Sequence, residues 1–206
     1  MRIVVLGATG ATGRQVVTVA LERGHEVVAL ARRPDALSGP AHDRLMVRQC
    51  DVHTAGTVTT ACRDADAVIS ALGLSRGGPA DTLSTGARAV IRAEPPRVAW
   101  MGSFGVGHSH GRAGPLYEFV QRRVLGAGFA DKAAADNLVA GPHSTVFHPV
   151  ILTGAPGSGA VTVMPLDELD RSWRFLPPRV ARADVAAALV AEVEEPAFAG
   201  RTVAVY

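Results

Sequence analysis

Residues 7–13 read Gly-Ala-Thr-Gly-Ala-Thr-Gly, between the apolar run Arg2-Ile3-Val4-Val5-Leu6 and an amphipathic stretch that begins at Arg14. No other feature restricts the fold so strongly. A short run of branched apolar residues predicts a buried strand, and the stretch 14–21, Arg-Gln-Val-Val-Thr-Val-Ala-Leu, predicts a helix. Glycines three residues apart let the backbone turn tightly and come close to a diphosphate, and the following helix offers amide donors and the positive end of its dipole. Strand, glycine turn and helix in that order predict a dinucleotide-binding turn.

The rest of the chain repeats this alternation. Strands are expected over 26–31, 45–50, 65–72, 97–101 and 144–148, with helices over 57–61, 82–93, 116–125 and 131–140. Gly24 suits the end of the first helix, and Pro95-Pro96 ends the 82–93 helix. Beyond residue 151 the pattern changes to short strands over 160–164 and 173–176, a helix over 183–193 with Asp184 in its first turn, and a last strand over 202–206. Repeated strand–helix–strand units with apolar strands predict an α/β fold: a Rossmann-like doubly wound parallel sheet. The length suits one domain over 1–206 with a small C-terminal cap, and segments 104–130 and 151–182 are expected on the substrate side.

Ligands of such sheets bind outside the C-terminal strand ends. Those ends fall at 7–13, 31–34, 51–52, 71–73, 101–104 and 148–150. The second discriminates between cofactors. A site for NAD usually carries an acid there to hold the ribose hydroxyls. This chain has Arg32-Arg33, whose guanidiniums suit a 2′-phosphate, while Asp35 lies past Pro34. The expected cofactor is NADP(H).

Candidates for the chemistry are fewer. Ser103 follows the fifth strand, where a nicotinamide would lie, and either bonds substrate or carboxamide or caps the next turn. Tyr117 invites comparison with the Tyr-x-x-x-Lys pair of many short-chain dehydrogenases, but Gln121 stands where the lysine would be, which points to a packing or pocket role. Lys132 opens the next helix as a candidate ammonium donor. His148 ends the sixth strand, either as a contact to cofactor or substrate or as a buried, satisfied histidine. His108 and His110 flank Ser109 in a glycine-rich loop with no acid or cysteine close by, so no metal is expected.

Net charge is +2 and the basic residues are scattered, so no nucleic-acid surface is expected. No apolar run approaches membrane-spanning length, and the N-terminal strand is too short for a signal segment. Cys50 and Cys62 make neither a disulfide framework nor a metal pair, so a reducing cytoplasm is expected. Richness in Ala, Arg, Gly and Val suggests a high-GC bacterial source. A small-molecule substrate is the expected partner, with the chain a monomer or homodimer.

Together, residues 7–13, Ala31-Arg32, Asp51-Val52, Ser70-Ala71-Leu72-Gly73, Gly86-Ala87-Arg88, Gly102-Ser103-Phe104-Gly105 and Arg182-Ala183-Asp184-Val185-Ala186 resemble the atypical short-chain dehydrogenase/reductases. Within that group the chain is similar to NAD(P)H-binding proteins related to NmrA and to biliverdin reductase B, also called flavin reductase. The resemblance implies that Gly7, Thr9, Gly10, Ala11, Thr12 and Gly13 cradle the diphosphate and that Arg32 and Arg33 take the 2′-phosphate. It further implies that Asp51 and Val52 edge the adenine, that Ala71, Leu72 and Gly73 border the nicotinamide ribose, and that Ser103, His148, Pro149 and Val150 face the nicotinamide. Many members carry an Arg-Pro-Gly triplet after the sixth strand, where this chain has His148-Pro149-Val150. The implied function is an NADPH-dependent oxidoreductase passing hydride to a flat conjugated acceptor such as a flavin, a quinone or a conjugated carbonyl. A dinucleotide-sensing regulator like NmrA, or an epimerase or other non-redox enzyme on the same fold, stands as the alternative.

Overall fold

The computed structural model of the chain describes residues 1–37, 42–74, 78–170 and 176–206. Strands β1 (Arg2–Leu6) and β2 (Glu26–Ala31) flank helix α1 (Ala11–Glu22). Then come β3 (Leu45–Gln49), α2 (Thr57–Cys62), β4 (Ala67–Ser70), α3 (Thr82–Ile91) and β5 (Val98–Met101). Helices α4 (Pro115–Leu125) and α5 (Ala127–Val139) lead to β6 (Ser144–Pro149), β7 (Ile151–Thr153), β8 (Val163–Pro165) and β9 (Arg179–Ala181). Helix α6 (Arg182–Glu194) and β10 (Thr202–Val205) end the chain.

The eight-stranded sheet runs β3-β2-β1-β4-β5-β6-β10-β8, parallel except for the antiparallel edge β8. The order reverses beside β1, which opens the crevice at its C-terminal end. Alternation along the strands explains the two covered faces. Ile3 and Val5 face α1 and α6 in one core with Val16, Val17, Leu189 and Val190. Val4 and Leu6 face the other, with Val58, Leu83, Ala87 and Val139. Both faces are dry, so the strands read as continuous apolar runs.

Three departures from expectation have physical causes. Helix α1 begins at Ala11, not Arg14, so the last glycine of the turn lies inside the helix. Strand β4 is only four residues long: the Ala71 amide still bonds the Leu6 carbonyl of β1, and the chain then turns out of the sheet so that Ala71 and Leu72 form the wall of a cleft. Helix α5 starts at Ala127, ahead of the expected 131, and takes in the buried Gly128, whose bare backbone leaves room for the Leu74 side chain that a Cβ would strike. The C-terminal third divides its work: β8 and β10 extend the main sheet, while β7 and β9 pair in parallel as a separate two-stranded ribbon. The strand expected over 173–176 falls mainly on residues 171–175, outside the described residues.

Candidate functional site

A cleft of about 400 Å³ opens across the C-terminal ends of β3, β2, β1, β4 and β5. Its floor is the β1–α1 turn. Gly7 sits at φ +72°, a left-handed conformation that disfavours any side chain, and a Cβ there would meet the backbone of Ala71 and Leu72. The amide of Gly10 donates to the carbonyl of Gly7 at 2.9 Å and closes the turn. Gly10 then begins α1 without a side-chain cap, so the first-turn amides remain available to an anion. Gly13 has a different task. A Cβ on it would strike the Gly7 carbonyl, so its bareness lets α1 pack onto the turn, and Gly13 itself is buried away from the cleft.

Of the residues expected at the cofactor, Gly7, Thr9, Gly10, Ala11, Thr12, Arg32, Asp51, Val52, Ala71, Leu72 and Gly73 line this cleft. Arg32 and Arg33 part company: Arg32 is on the wall and Arg33 is not. The chain turns after β2 into a short 3-10 turn, Pro34–Leu37, opened by a bond from the Ala36 amide to the Arg33 carbonyl. The guanidinium of Arg14 bonds the carbonyls of Thr9 and Ala36, tying that turn to the glycine loop. At the end of β3 the Asp51 carboxylate accepts the His53 amide at 3.0 Å, which fixes the corner on which Val52 and His53 reach the cleft.

The residues expected to do chemistry lie around the far end. Ser103 is half-buried just beyond Met101, and its Oγ accepts a bond from Gln121 Nε2 at 3.0 Å. The second amide proton of Gln121 goes to the Phe104 carbonyl at 3.1 Å, while its Oε1 is buried without a partner among the described residues. With its lone pair engaged, the Ser103 hydroxyl keeps its proton to donate elsewhere. Tyr117 packs half-buried against the core, and burial pushes its phenol above the usual value. Lys132 is also half-buried. Burial lowers its ammonium pKa, and the charges of Asp136 and Asp131 oppose that shift. None of Ser103, Tyr117 and Lys132 is among the residues that line the cleft; Ser103 lies two residues beyond Met101, which does line it.

His148 is placed differently from the nicotinamide contact that its strand-end position suggested. It is fully buried, with Nε2 3.1 Å from Asp136 Oδ2 and Nδ1 2.7 Å from Ser109 Oγ. Both ring nitrogens are spent, which is the arrangement of a satisfied core histidine tying β6 to α5 and to the loop after β5. Pro149 and Val150 are buried too and do not reach the cleft. Leu152, two residues further on, does reach it.

Sequence reasoning passed over His53, Thr82, Leu152 and Arg182, which all line the cleft. Thr82 is presented by the start of α3. That helix end is held by Asp131 of α5, whose carboxylate accepts the amides of Leu83 and Ser84 at 2.8 and 3.0 Å. Leu152 and Arg182 arrive together because β7 and β9 pair, Leu152 opposite Val180, and α6 starts directly after β9. Among the described residues no group of three or more His, Cys, Asp or Glu side chains is placed to hold a metal, and no helix is long and apolar enough to cross a membrane.

Residues 7–196 match the NAD(P)H-binding family, a span that takes in the glycine turn and every cleft-lining residue except Leu6. The chain belongs to that family. The match agrees with the resemblance to atypical short-chain dehydrogenase/reductases. Solved structures share the fold over almost the whole chain. A short-chain dehydrogenase/reductase from Veillonella parvula, in complex with NADP, superposes with a TM-score of 0.79 at 17% identity, covering 99% of this chain and 93% of that one. The anaerobilin reductase ChuY from Escherichia coli O157:H7 gives 0.78 at 23% identity, covering 100% and 96%. The oxidoreductase ylbE from Lactococcus lactis gives 0.77 at 18% identity, covering 100% and 90%. No curated protein matches the chain in sequence. As an NAD(P)H-binding protein, the chain has residues that suit the cofactor: bare backbone at Gly7, uncapped amides at the start of α1, and a cation at the end of β2.

Proposed function

We propose that this chain is an NADPH-dependent reductase acting on a flat conjugated acceptor such as a flavin, a quinone or a conjugated carbonyl. The observation that carries the cofactor choice is Arg32, which lines the cleft at the end of β2 where NAD sites place an acid. A guanidinium there attracts a 2′-phosphate through charge-assisted bonds. The glycine turn and first-turn amides of α1 hold the diphosphate, Asp51 and Val52 edge the adenine, and Ala71, Leu72 and Gly73 border the nicotinamide ribose. Bound there, the cofactor supplies the hydride.

The protein's part is orientation and exclusion of water. Leu72, Leu74, Met101 and Leu152 give the far end of the cleft an apolar lining suited to a planar ring. Ser103, held by Gln121 as an acceptor, is assigned the hydrogen bond to the acceptor's oxygen or to the carboxamide. Lys132, whose burial makes its proton easier to release, is the second candidate donor, and Tyr117 is assigned to packing. The described residues of segments 104–130 and 151–182 are assigned to the substrate side of a single domain. The protein works in the cytoplasm as a monomer or homodimer.

The test is NADPH oxidation, followed as loss of the near-ultraviolet nicotinamide band across a panel of flavins, quinones and enones. Sustained turnover with at least one class is expected. Tight NADPH binding without oxidation by any of them would overturn the reading.

A further inference from the structure

The cleft holds a second cation, far from Arg32 in the order of the sheet. Arg182 shares the wall with Met101 at the end of β5 and with Leu152 of β7, whereas Arg32 belongs to the β2 end. The β7–β9 ribbon delivers it there, and α6 packs across β4 and β5.

Its position is electrostatically unfavourable. Arg182 is the first residue of α6, where the helix dipole favours acids and penalises cations. Asp184 sits in the same first turn, but its carboxylate is spent elsewhere. It accepts the amides of Ser158 and Gly159, each at 3.0 Å, and the Ser158 hydroxyl at 3.1 Å. The half-buried Arg182 guanidinium has no hydrogen bond or ion pair to any described residue. Three other part-buried arginines are tied down, Arg97 to the carbonyls of Val193 and Glu194, Arg112 to that of Leu169 and Arg201 to Asp167 and Glu168, whereas arginines without such partners among the described residues, such as Arg33 and Arg179, are exposed. A local rule broken without compensation inside a cleft marks a functional position. A part-buried guanidinium is satisfied best by an oxyanion, which it binds through paired charge-assisted bonds.

We infer that Arg182 binds an anionic substituent of the acceptor, a carboxylate, sulfonate or phosphate, so that this site selects flat conjugated acids over their neutral counterparts. The inference rests on the reductase reading, which already places the cofactor's 2′-phosphate at Arg32 and its diphosphate at the glycine turn. Arg182 is then the cation left for the substrate.

Two probe pairs test it: flavin mononucleotide against riboflavin, and naphthoquinone sulfonate against naphthoquinone. In wild type the anionic member of each pair should have a KM about ten-fold lower. Arg182→Gln should raise the KM for the anionic members about ten-fold, move the neutral ones less than two-fold, and leave the dissociation constant of NADPH within two-fold. Arg179→Gln, an exposed neighbour on β9, is the control and should change neither pair. Flavin fluorescence quenching with the NADP⁺-loaded protein gives the same comparison without turnover. If no acceptor is reduced but flavin mononucleotide binds better than riboflavin and Arg182→Gln erases the difference, the reductase reading fails and the anion site stands. Equal treatment of charged and neutral members in wild type would overturn the inference. So would a loss of NADPH affinity as large as the loss for the anionic acceptors, which would give Arg182 to the diphosphate.

Discussion

Replacing Gly7 by alanine probes the cleft at the point where two strands and a turn meet. The glycine adopts φ +72°, and forcing an L-residue into that region costs about 1–2 kcal/mol. The new Cβ would stand 2.5 Å from the Ala71 carbonyl oxygen and 2.8 Å from the Leu72 amide nitrogen. Ordinary contact begins at 3.4 Å, so the two backbones must part by about 0.9 Å. They are not free to do so, because the Ala71 amide donates to the Leu6 carbonyl at 2.9 Å and pins β4 to β1 there. Overpacking of this kind costs roughly 1–3 kcal/mol more. The sum, about 2–5 kcal/mol, corresponds to a fall in Tm of roughly 4–20 °C for a chain of this size. The displaced turn also carries the Gly10 amide and the start of α1, so NADPH affinity should fall about ten-fold or more. Differential scanning calorimetry and isothermal titration read the two effects. A Tm within about 2 °C of wild type together with unaltered NADPH affinity would refute the reasoning.

Three further outcomes follow from the same contacts. Gln121→Leu frees the Ser103 hydroxyl, so turnover should fall about ten-fold with NADPH affinity little changed, and Ser103→Ala added to it should cost no more, as expected of residues acting as a unit. The three donors on Asp184 hold its carboxyl below the ordinary 3.8, so their stabilisation is complete above that pH and is lost as pH falls through the depressed value. Asp184→Asn should therefore be less stable than wild type by about 2 kcal/mol in urea at neutral pH, with the gap closing in strong acid; a gap independent of pH would contradict this. Asp131→Ala removes the cap that α5 places on α3 and should cost about 1–2 kcal/mol in the same assay.

The strands β1 and β2 were legible to the residue because both their faces are buried, so hydrophobic runs and structure coincide. The glycine turn was legible because each glycine has a steric reason, though only the structure separates Gly7, which shapes the cleft, from Gly13, which seats the helix. Sequence position placed His148 at a strand end but said nothing of which way the ring turns. Asp136, twelve residues earlier, and Ser109, on another loop, decide that. Arg32 and Arg33 were indistinguishable as neighbours until the turn after β2 set one on the wall and one off it. Leu152 and Arg182 depend on a pairing between β7 and β9 that no local pattern announces. One local signal was present all the same: an arginine at the first position of a helix whose acid lies two residues later.

NADPH dependence requires that the cleft prefer a phosphorylated cofactor. Isothermal titration of wild type and Arg32→Ala with NADPH and with NADH measures it. Wild type should bind NADPH about ten- to a hundred-fold more tightly than NADH, and Arg32→Ala should erase most of that gap by weakening NADPH alone. Equal affinities in wild type, or an equal loss for both cofactors in the variant, would contradict the assignment of Arg32 to the 2′-phosphate and with it the NADPH-dependent reading of this site.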